Sequence, residues 1–160
     1  MPVYIAEGDL LKSDCNAIAH QANCFGKMGA GIARQIRLRY PEAYEADLNF
    51  RLPVGSRERL GHYSWCWVDG GSRLVANLYG QYGYGPGRHT DYDAFETALS
   101  RLVETLILIQ PQLNVKYKLG LPFGIGAGLA GGNWTQIFSI IRRVSGLHSF
   151  PIYLYKLKKD

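Results

Sequence analysis

Hydrophobic positions along the chain alternate between short strand-like runs and helical spacings. Residues 3–6 and Ala17–Ala22 are apolar runs of the length expected for buried strands. Over Gly31–Arg39 and the residue that follows, the apolar positions step by four, which predicts a helix. A strand followed by a helix, repeated along a chain, is typical of an α/β domain.

The second half of the chain continues the same alternation. Tyr63–Val68 and Arg73–Tyr79 have strand patterns and are joined by Asp-Gly-Gly-Ser, which predicts a hairpin. A capping signal at Thr90 precedes a long run with apolar residues on one helix face. Strands are expected at 117–121 and 150–154, with a helix over 134–144 between them. With no repeat and no linker, residues 1–160 are expected to form one domain.

The composition adds an excess of glycine and of positive charge. Nineteen of the 160 residues are glycine, about 12% against a typical ~7%, and no Gly-X-Y period accounts for them. The formal net charge of +5 favours anionic partners. The basic pair Arg57 and Arg59 is interpreted either as a solvated surface or as part of a nucleic-acid surface. Three scattered cysteines without a CxxC pair favour a reducing compartment, and hence the cytoplasm.

One uncharged stretch is long enough to cross a bilayer. Residues 119–141 contain no charge, but they include six glycines and a proline. A strand, a glycine-rich loop and a helix start account for this composition better than a membrane span. The N-terminal residues also lack the basic and apolar regions of a signal peptide. We therefore expect no membrane association.

Two glycine-rich loops carry the strongest chemical signal. Loop 1 (residues 26–31) and loop 2 (residues 124–132) each lie between a predicted strand and a predicted helix. Glycine lets backbone N–H groups turn toward an anion, and a helix N-terminus adds favourable partial charge. Two such loops predict a diphosphate held between them; the alternative is glycines that only close turns. The order GxxGxG in loop 1 differs from the dinucleotide fingerprint GxGxxG, and GxxxxGK[ST] is absent from the chain.

Several motifs together resemble a macrodomain, the ADP-ribose-binding module. They are Glu-Gly-Asp-Leu at 7–10, Asn-Cys at 23–24, Met-Gly-Ala-Gly-Ile-Ala at 28–33, and the segments 39–43 and 152–155. The resemblance covers nearly the whole chain and implies a three-layer α/β/α macrodomain with a mixed central sheet. The ligand is then expected in a cleft at the carboxyl ends of the strands. The branch resembled contains ADP-ribose 1″-phosphate phosphatases and enzymes that remove ADP-ribose from glutamate or nucleobases.

The resemblance also implies a set of ADP-ribose contacts. Asp9 matches the acidic residue that accepts a hydrogen bond from the adenine amino group, and its alternative role is a turn cap. Asn23 matches the residue near the distal ribose, and its alternative role is to form a turn. The other expected ligand contacts are Leu10, Met28, Gly29, Ala30, Gly31, Ile32, Gln81, Tyr82, Gly126, Ala127, Gly128, Leu129 and Ala130.

Catalysis departs from the family pattern. Relatives that remove ADP-ribose from acidic side chains or guanine place a lysine after the strand matched by Arg73–Tyr79, where this chain has Gly-Gln. They also place an acidic residue in or after loop 2, where this chain has Ala130 and Asn133. A covalent lysine–ribose intermediate is therefore not expected. The catalytic candidates are His20 and Asn23, with His20 activating water or protonating a leaving group; the alternative is that His20 is a core residue.

These observations predict a protein that binds ADP-ribose and hydrolyses a terminal ADP-ribose derivative, in the manner of ADP-ribose 1″-phosphate phosphatases. The alternatives are removal of ADP-ribose from protein or nucleic acid without a lysine, and non-catalytic reading of ADP-ribose. No cofactor or metal is expected. The expected partner is ADP-ribose or an ADP-ribosylated substrate, with nucleic acid as a further candidate, and the chain is expected to be a monomer.

Overall fold

Six strands form one mixed sheet with helices on both faces. The computed structural model describes residues 3–158. The strands are β1 (Val3–Glu7), β2 (Ala17–Ala22), β3 (Tyr63–Val68), β4 (Arg73–Tyr79), β5 (Leu119–Pro122) and β6 (Ile152–Lys156). The α-helices are α1 (Gly31–Arg39), α2 (Pro41–Leu48), α3 (Tyr92–Leu113) and α4 (Trp134–His148). Short 3-10 turns occupy Leu10–Lys12, Arg57–Arg59 and Asp69–Gly71.

The strand order brings five carboxyl ends to one edge of the sheet. The order is β1-β6-β5-β2-β4-β3, and all neighbours are parallel except the hairpin pair β3 and β4. The hairpin turn contains Gly70 and Gly71 with φ of 68° and 90°, a region that glycine adopts without strain. The mixed sheet and the hairpin predicted from sequence are confirmed.

Alternation along β2 divides the core between the two faces of the sheet. Ala17 and Ala19 belong to a core cluster with Leu99 of α3 and Ile141 of α4. Ile18 belongs to a second cluster with residues of α1 and α2. Successive side chains of a strand point to opposite faces, so β2 is covered by helices on both. The predicted α/β/α layering is therefore confirmed.

Two strands begin later than their hydrophobic patterns suggested. β5 begins at Leu119 rather than 117, because the N–H of Tyr117 donates to the Gln110 side chain, 2.9 Å away, and closes the end of α3. β6 begins at Ile152 rather than 150, because the N–H of Phe150 donates to the Ser145 carbonyl, 3.0 Å away, and closes α4. In both places the side chain is buried, while the backbone N–H donates a hydrogen bond to the last turns of the preceding helix and so cannot join the sheet.

The uncharged stretch 119–141 is divided among three elements. It forms β5, loop 2 and the first half of α4. Within residues 3–158 no helix has the length and apolar character needed to span a membrane.

A buried ion pair joins α2 to the segment before β3. Arg59 is fully buried, and its Nη1 lies 2.9 Å from Oδ1 of Asp47, which is 1% exposed. The guanidinium also donates to the backbone carbonyls of Asp47 and Leu52, both at 2.9 Å. The hydroxyl of Tyr79 donates to the same Asp47 oxygen at 2.6 Å. The interpretation of Arg59 as a surface residue was therefore wrong, because its guanidinium is buried, paired with a carboxylate and hydrogen-bonded inside the protein.

Replacing one partner of this pair should destabilise the fold strongly. Arg59→Met leaves the Asp47 carboxylate buried without its cation, a loss of about 3–5 kcal/mol. For a chain of this size that lowers Tm by roughly 6–20 °C. Arg143→Met is the matched control, because the Arg143–Glu96 pair is partly exposed and should cost under about 1 kcal/mol. Thermal unfolding followed by circular dichroism measures both, and equal shifts would contradict the assignment.

Candidate functional site: a cleft between two glycine loops

A cleft of about 620 Å³ opens at the carboxyl ends of β2, β4 and β5. Loop 1 and the first turn of α1 form one wall, and loop 2 forms the other. Of the ligand contacts predicted from sequence, the cleft is lined by Asn23, Met28, Gly29, Ala30, Gly31, Ile32, Gln81, Gly126, Gly128, Leu129 and Ala130. Carboxyl ends of parallel strands are where α/β sheets commonly bind ligands.

Both walls present backbone N–H groups without partners. Helix α1 begins at Gly31, and its N-cap residue Ala30 provides no side-chain hydrogen bond, whereas Asp91 caps α3 and Asn133 caps α4. Within residues 3–158, the N–H groups of the two segments 30–32 and 128–130 donate no hydrogen bond. Unpaired N–H groups at a helix N-terminus attract anions. Loop 1 supplies such a helix terminus, and loop 2 adds unpaired N–H groups in the turn before α4, so the two walls together suit a ligand with two linked phosphates.

Asn23 holds loop 1 in shape. Its side-chain oxygen accepts from the N–H of Phe25 at 2.9 Å and of Lys27 at 3.3 Å. Its amide nitrogen donates to the Lys27 carbonyl at 2.7 Å. These contacts match the turn-forming alternative, and Asn23 also lines the cleft. Its role toward a ribose stays a prediction.

A cluster of amide and hydroxyl groups connects the cleft floor to loop 2. The Gln21 side-chain nitrogen donates to Oε1 of Gln81 and to Oγ1 of Thr90, both at 2.9 Å. The Thr90 hydroxyl in turn donates to the Gly126 carbonyl at 2.7 Å. The Gln21 Oε1 is buried and accepts no hydrogen bond within the described residues. Sequence analysis missed Gln21 and Thr90, although β2 alternation places Gln21 on the face opposite His20.

Four predicted contacts lie outside the cleft lining. They are Asp9, Leu10, Tyr82 and Ala127. Asp9 caps the Leu10–Lys12 turn by accepting from the Leu11 N–H at 2.9 Å. Tyr82 donates its hydroxyl to a backbone carbonyl at 2.8 Å, and Ala127 packs against the core. Asp9 follows β1 at the same edge of the sheet, so its contact with adenine stays a prediction.

His20 lies in the core on the other face of β2. It is fully buried, and its Nε2 shares a hydrogen bond with the Asn77 side-chain oxygen at 2.7 Å. Burial lowers the pKa of His20, because the charged imidazolium loses its hydration. It does not line the cleft. The structure thus corrects the picture of His20 acting directly on a ligand there: its surroundings are those of a core histidine.

The described cleft lining consists mainly of glycine and apolar residues, with a few neutral polar side chains and one cation. Lys27 of loop 1 lines the cleft and is exposed. Within the described residues the lining includes no aspartate, glutamate or histidine. Lys27 was not among the predicted site residues, although its place inside loop 1 was the available signal. The site therefore offers hydrogen-bond donors and one positive charge, rather than a carboxylate.

Comparison with known proteins agrees with this geometry. No protein-family model matches the chain. A DNA ADP-ribosyl glycohydrolase of Mycobacterium tuberculosis is 51% identical over 153 residues, which is 93% of this chain and 40% of that protein. An uncharacterized 17.5 kDa protein of Enterobacteria phage T4 is 32% identical over 147 residues, 88% of each chain. A macrodomain protein from Streptomyces coelicolor superposes with a TM-score of 0.73 at 25% identity, covering 96% of this chain and 97% of that structure.

Two glycines of loop 2 should respond differently to a branched side chain. A Cβ added to Gly128 meets no atom within 4 Å, so Gly128→Val should fold normally and project into the cleft. Gly126 has φ of 77°, and a Cβ there lies 3.1 Å from both Gln21 and Ile137, so Gly126→Val should lower Tm. Calorimetric titration with ADP-ribose should detect weaker binding by Gly128→Val at unchanged Tm. Undiminished binding by this variant would remove loop 2 from the binding site.

Burial of His20 should make stability depend on pH. Its pKa in the folded protein lies below the ordinary 6.5, so the unfolded chain takes up the proton more readily. The stability is complete above pH 6.5 and is lost as pH falls toward the folded pKa. Urea unfolding at about pH 7 and about pH 5 should show this decline, and His20→Gln should flatten it. His148→Gln, at a half-buried site on α4, should keep the wild-type slope; an identical slope in all three would contradict this expectation.

Proposed function

This chain belongs to the macrodomain family, and we propose that its cleft binds ADP-ribose and hydrolyses the bond that joins ADP-ribose to DNA. The observation that carries the proposal is the pair of facing N–H donor sets. The proposal is supported by the relative named DNA ADP-ribosyl glycohydrolase, whose sequence is 51% identical over 153 residues. This chain spans 40% of that relative's length, so only the activity that a single cleft can perform is proposed.

Binding would follow the order of groups along the cleft. The N–H groups of loop 1, with the N-terminus of α1, take one phosphate, and those of loop 2 take the other. Asn23 places loop 1 beside the distal ribose, and Asp9 lies farther along the sheet edge for the adenine. A volume of about 620 Å³ falls within the range of pockets that enclose small ligands.

For hydrolysis, the distal ribose would lie beside the cluster formed by Gln21, Gln81 and Thr90. Water's oxygen adds to the C1″ carbon of that ribose, the bond to the base breaks, and the leaving base gains a proton. Positive charge that develops on the sugar is offset by the ligand's own phosphates, since the described lining supplies no carboxylate. Gln81 is the group that would orient the water, because it lines the cleft and its side-chain oxygen accepts a hydrogen bond from Gln21 that fixes its position. Lys27 of loop 1 is the cation of the described lining.

A non-catalytic reader is the second candidate. It is favoured by the same lining, because a cleft without carboxylate or imidazole can bind a diphosphate and still lack a general base. The phosphatase-like reaction expected from sequence stays a prediction, and it would use the same diphosphate contacts.

Turnover of defined substrates separates these candidates. The protein is incubated with ADP-ribosylated single-stranded DNA, with ADP-ribosylated protein and with ADP-ribose 1″-phosphate, and the released ADP-ribose or phosphate is quantified. We expect ADP-ribose release from the DNA, and a fall of about 10-fold or more in Gln81→Ala, the equivalent of about 1.4 kcal/mol of transition-state stabilisation. Gln136→Ala, on the exposed side of α4, is the control.

Each contrary outcome has a distinct meaning. Tight ADP-ribose binding with no turnover would establish the reader, and phosphate release alone would establish the phosphatase. Turnover that is equal in Gln81→Ala and Gln136→Ala would remove Gln81 from the reaction.

A further inference from the structure

A second groove lies at the free edge of the sheet, beside β3. It has a volume of about 600 Å³ and is formed by the end of α2, the start of β3 and one residue of α3. Its lining includes Phe50, Arg51, His62, Trp65 and Arg101. We call it the edge groove. It shares no lining residue with the cleft.

The edge groove carries unneutralised positive charge. Arg51 and Arg101 are exposed, and neither forms an ion pair within residues 3–158. The pKa of His62 is lowered, first by burial and then by repulsion from Arg101 and Arg51, with Glu58 opposing. Arg101 donates to the Gly61 carbonyl at 2.9 Å and lies 3.1 Å from Nδ1 of His62, contacts that fix its guanidinium without neutralising it. Two guanidinium groups without a counter-charge at one groove favour an anion there. The groove is therefore matched to a polyanion.

Aromatic surfaces alternate with these charges. Trp65 is 46% exposed, although tryptophan is usually buried. Phe50 lies under Arg51, whose guanidinium is 5.6 Å from the ring centroid, and its ring is 6.5 Å from that of His62. Flat apolar rings between arginines are the arrangement that binds single-stranded nucleic acid, with bases stacking on rings and phosphates contacting guanidinium groups. A phosphorylated peptide would use the arginines and leave Trp65 unexplained.

The edge groove and the cleft lie side by side at the same end of the sheet. Tyr63, the first residue of β3, pairs with Leu78 near the end of β4, and Tyr79 pairs with Ala22 at the end of β2. Neighbouring strands are about 4.8 Å apart, so roughly 10 Å separates the start of β3 from the end of β2. Between them Arg57 lies 4.0 Å above the Tyr82 ring, which extends the series of rings and cations toward the cleft.

We propose that the edge groove binds single-stranded nucleic acid, and that it holds the strand whose ADP-ribose group occupies the cleft. The identity of the strand as substrate rests on the proposed function, whereas binding by the groove rests on its own charges and rings. Phosphates contact Arg51 and Arg101, and a base stacks on Trp65. The cleft then recognises the modification and the edge groove recognises the strand that carries it.

Binding of an unmodified oligothymidylate tests the groove alone. A fluorescein-labelled strand of about 12 nucleotides is titrated with the full chain, and anisotropy is followed at several salt concentrations. Arg51→Gln with Arg101→Gln should weaken binding about 10-fold or more and reduce the salt slope by about 1.4, the value for two lost phosphate contacts. The matched control removes two other exposed, unpaired cations, with Lys116→Gln and Arg142→Gln.

A second pair of variants tests stacking. Trp65→Ala should weaken oligothymidylate binding about 5-fold or more. Tyr4→Ala removes a 50% exposed ring of β1, at the opposite edge of the sheet, and it should bind as the wild type does. Affinity for free ADP-ribose, measured by calorimetry, should be unchanged in all of these variants because none of the altered residues lines the cleft.

The outcomes keep the two proposals apart. Oligothymidylate binding that is unchanged in the groove variants, or weakened equally in the controls, overturns the groove assignment. Tighter binding of a duplex or of a phosphopeptide than of the single strand also overturns it. Groove-dependent binding without any ADP-ribose release from DNA would contradict the proposed function and leave the groove standing. A raised KM toward ADP-ribosylated DNA in the groove variants, at unchanged kcat, is the result expected if both hold.

Discussion

The buried Asp47 carboxylate is the constraint around which this end of the molecule is organised. A charge inside a protein must be paired and hydrogen-bonded, and Asp47 receives both the Arg59 guanidinium and the Tyr79 hydroxyl. The series continues from Tyr79 through Ser64 and Asn77. These hydrogen bonds join α2, β3, β4 and the segment before β3 in one network. Because Tyr79 is the last residue of β4, the network fixes the point from which the chain enters the cleft.

The same network explains why two adjacent residues of β2 have opposite roles. His20 points to the face of α1 and α2, where Asn77 fixes its ring, while Gln21 points to the other face and reaches the cleft. A strand alternates its side chains, so neighbours in sequence are separated by the whole sheet. A motif match at β2 cannot by itself say which of the two faces the ligand. Here the polar residue of β2 that lies at the site is Gln21, whereas His20 belongs to the core.

Features that depend on neighbouring residues could be predicted from the sequence, whereas features that depend on residues far apart along the chain could not. Hydrophobic patterns and glycine positions act over a few residues, and they predicted β2, α1 and the hairpin with the observed bounds, together with the place of both glycine loops. The burial of Arg59 depends on Asp47, twelve positions away, and on Tyr79, twenty positions away, so no local pattern reveals it. The same holds for the Gln21–Thr90 contact, which spans 69 positions. The starts of β5 and β6 were misplaced because helix ends competed for the same apolar residues.

The electrostatic character of the cleft has a consequence for how specificity arises. Its described lining is nearly neutral, and its donors are backbone N–H groups that recognise any suitably spaced pair of phosphates. Such a site distinguishes poorly between ligands that share a diphosphate, because the part that differs lies beyond the loops. Selection among modified molecules must then come from contacts with whatever is attached to the distal ribose. Arg51 and Arg101, which form no ion pair with the described residues, lie outside the cleft at the edge groove, where an attached strand would pass. Under the two proposals, recognition of the group and of its carrier is divided between the cleft and the edge groove, and the Asp47 network joins elements that form both.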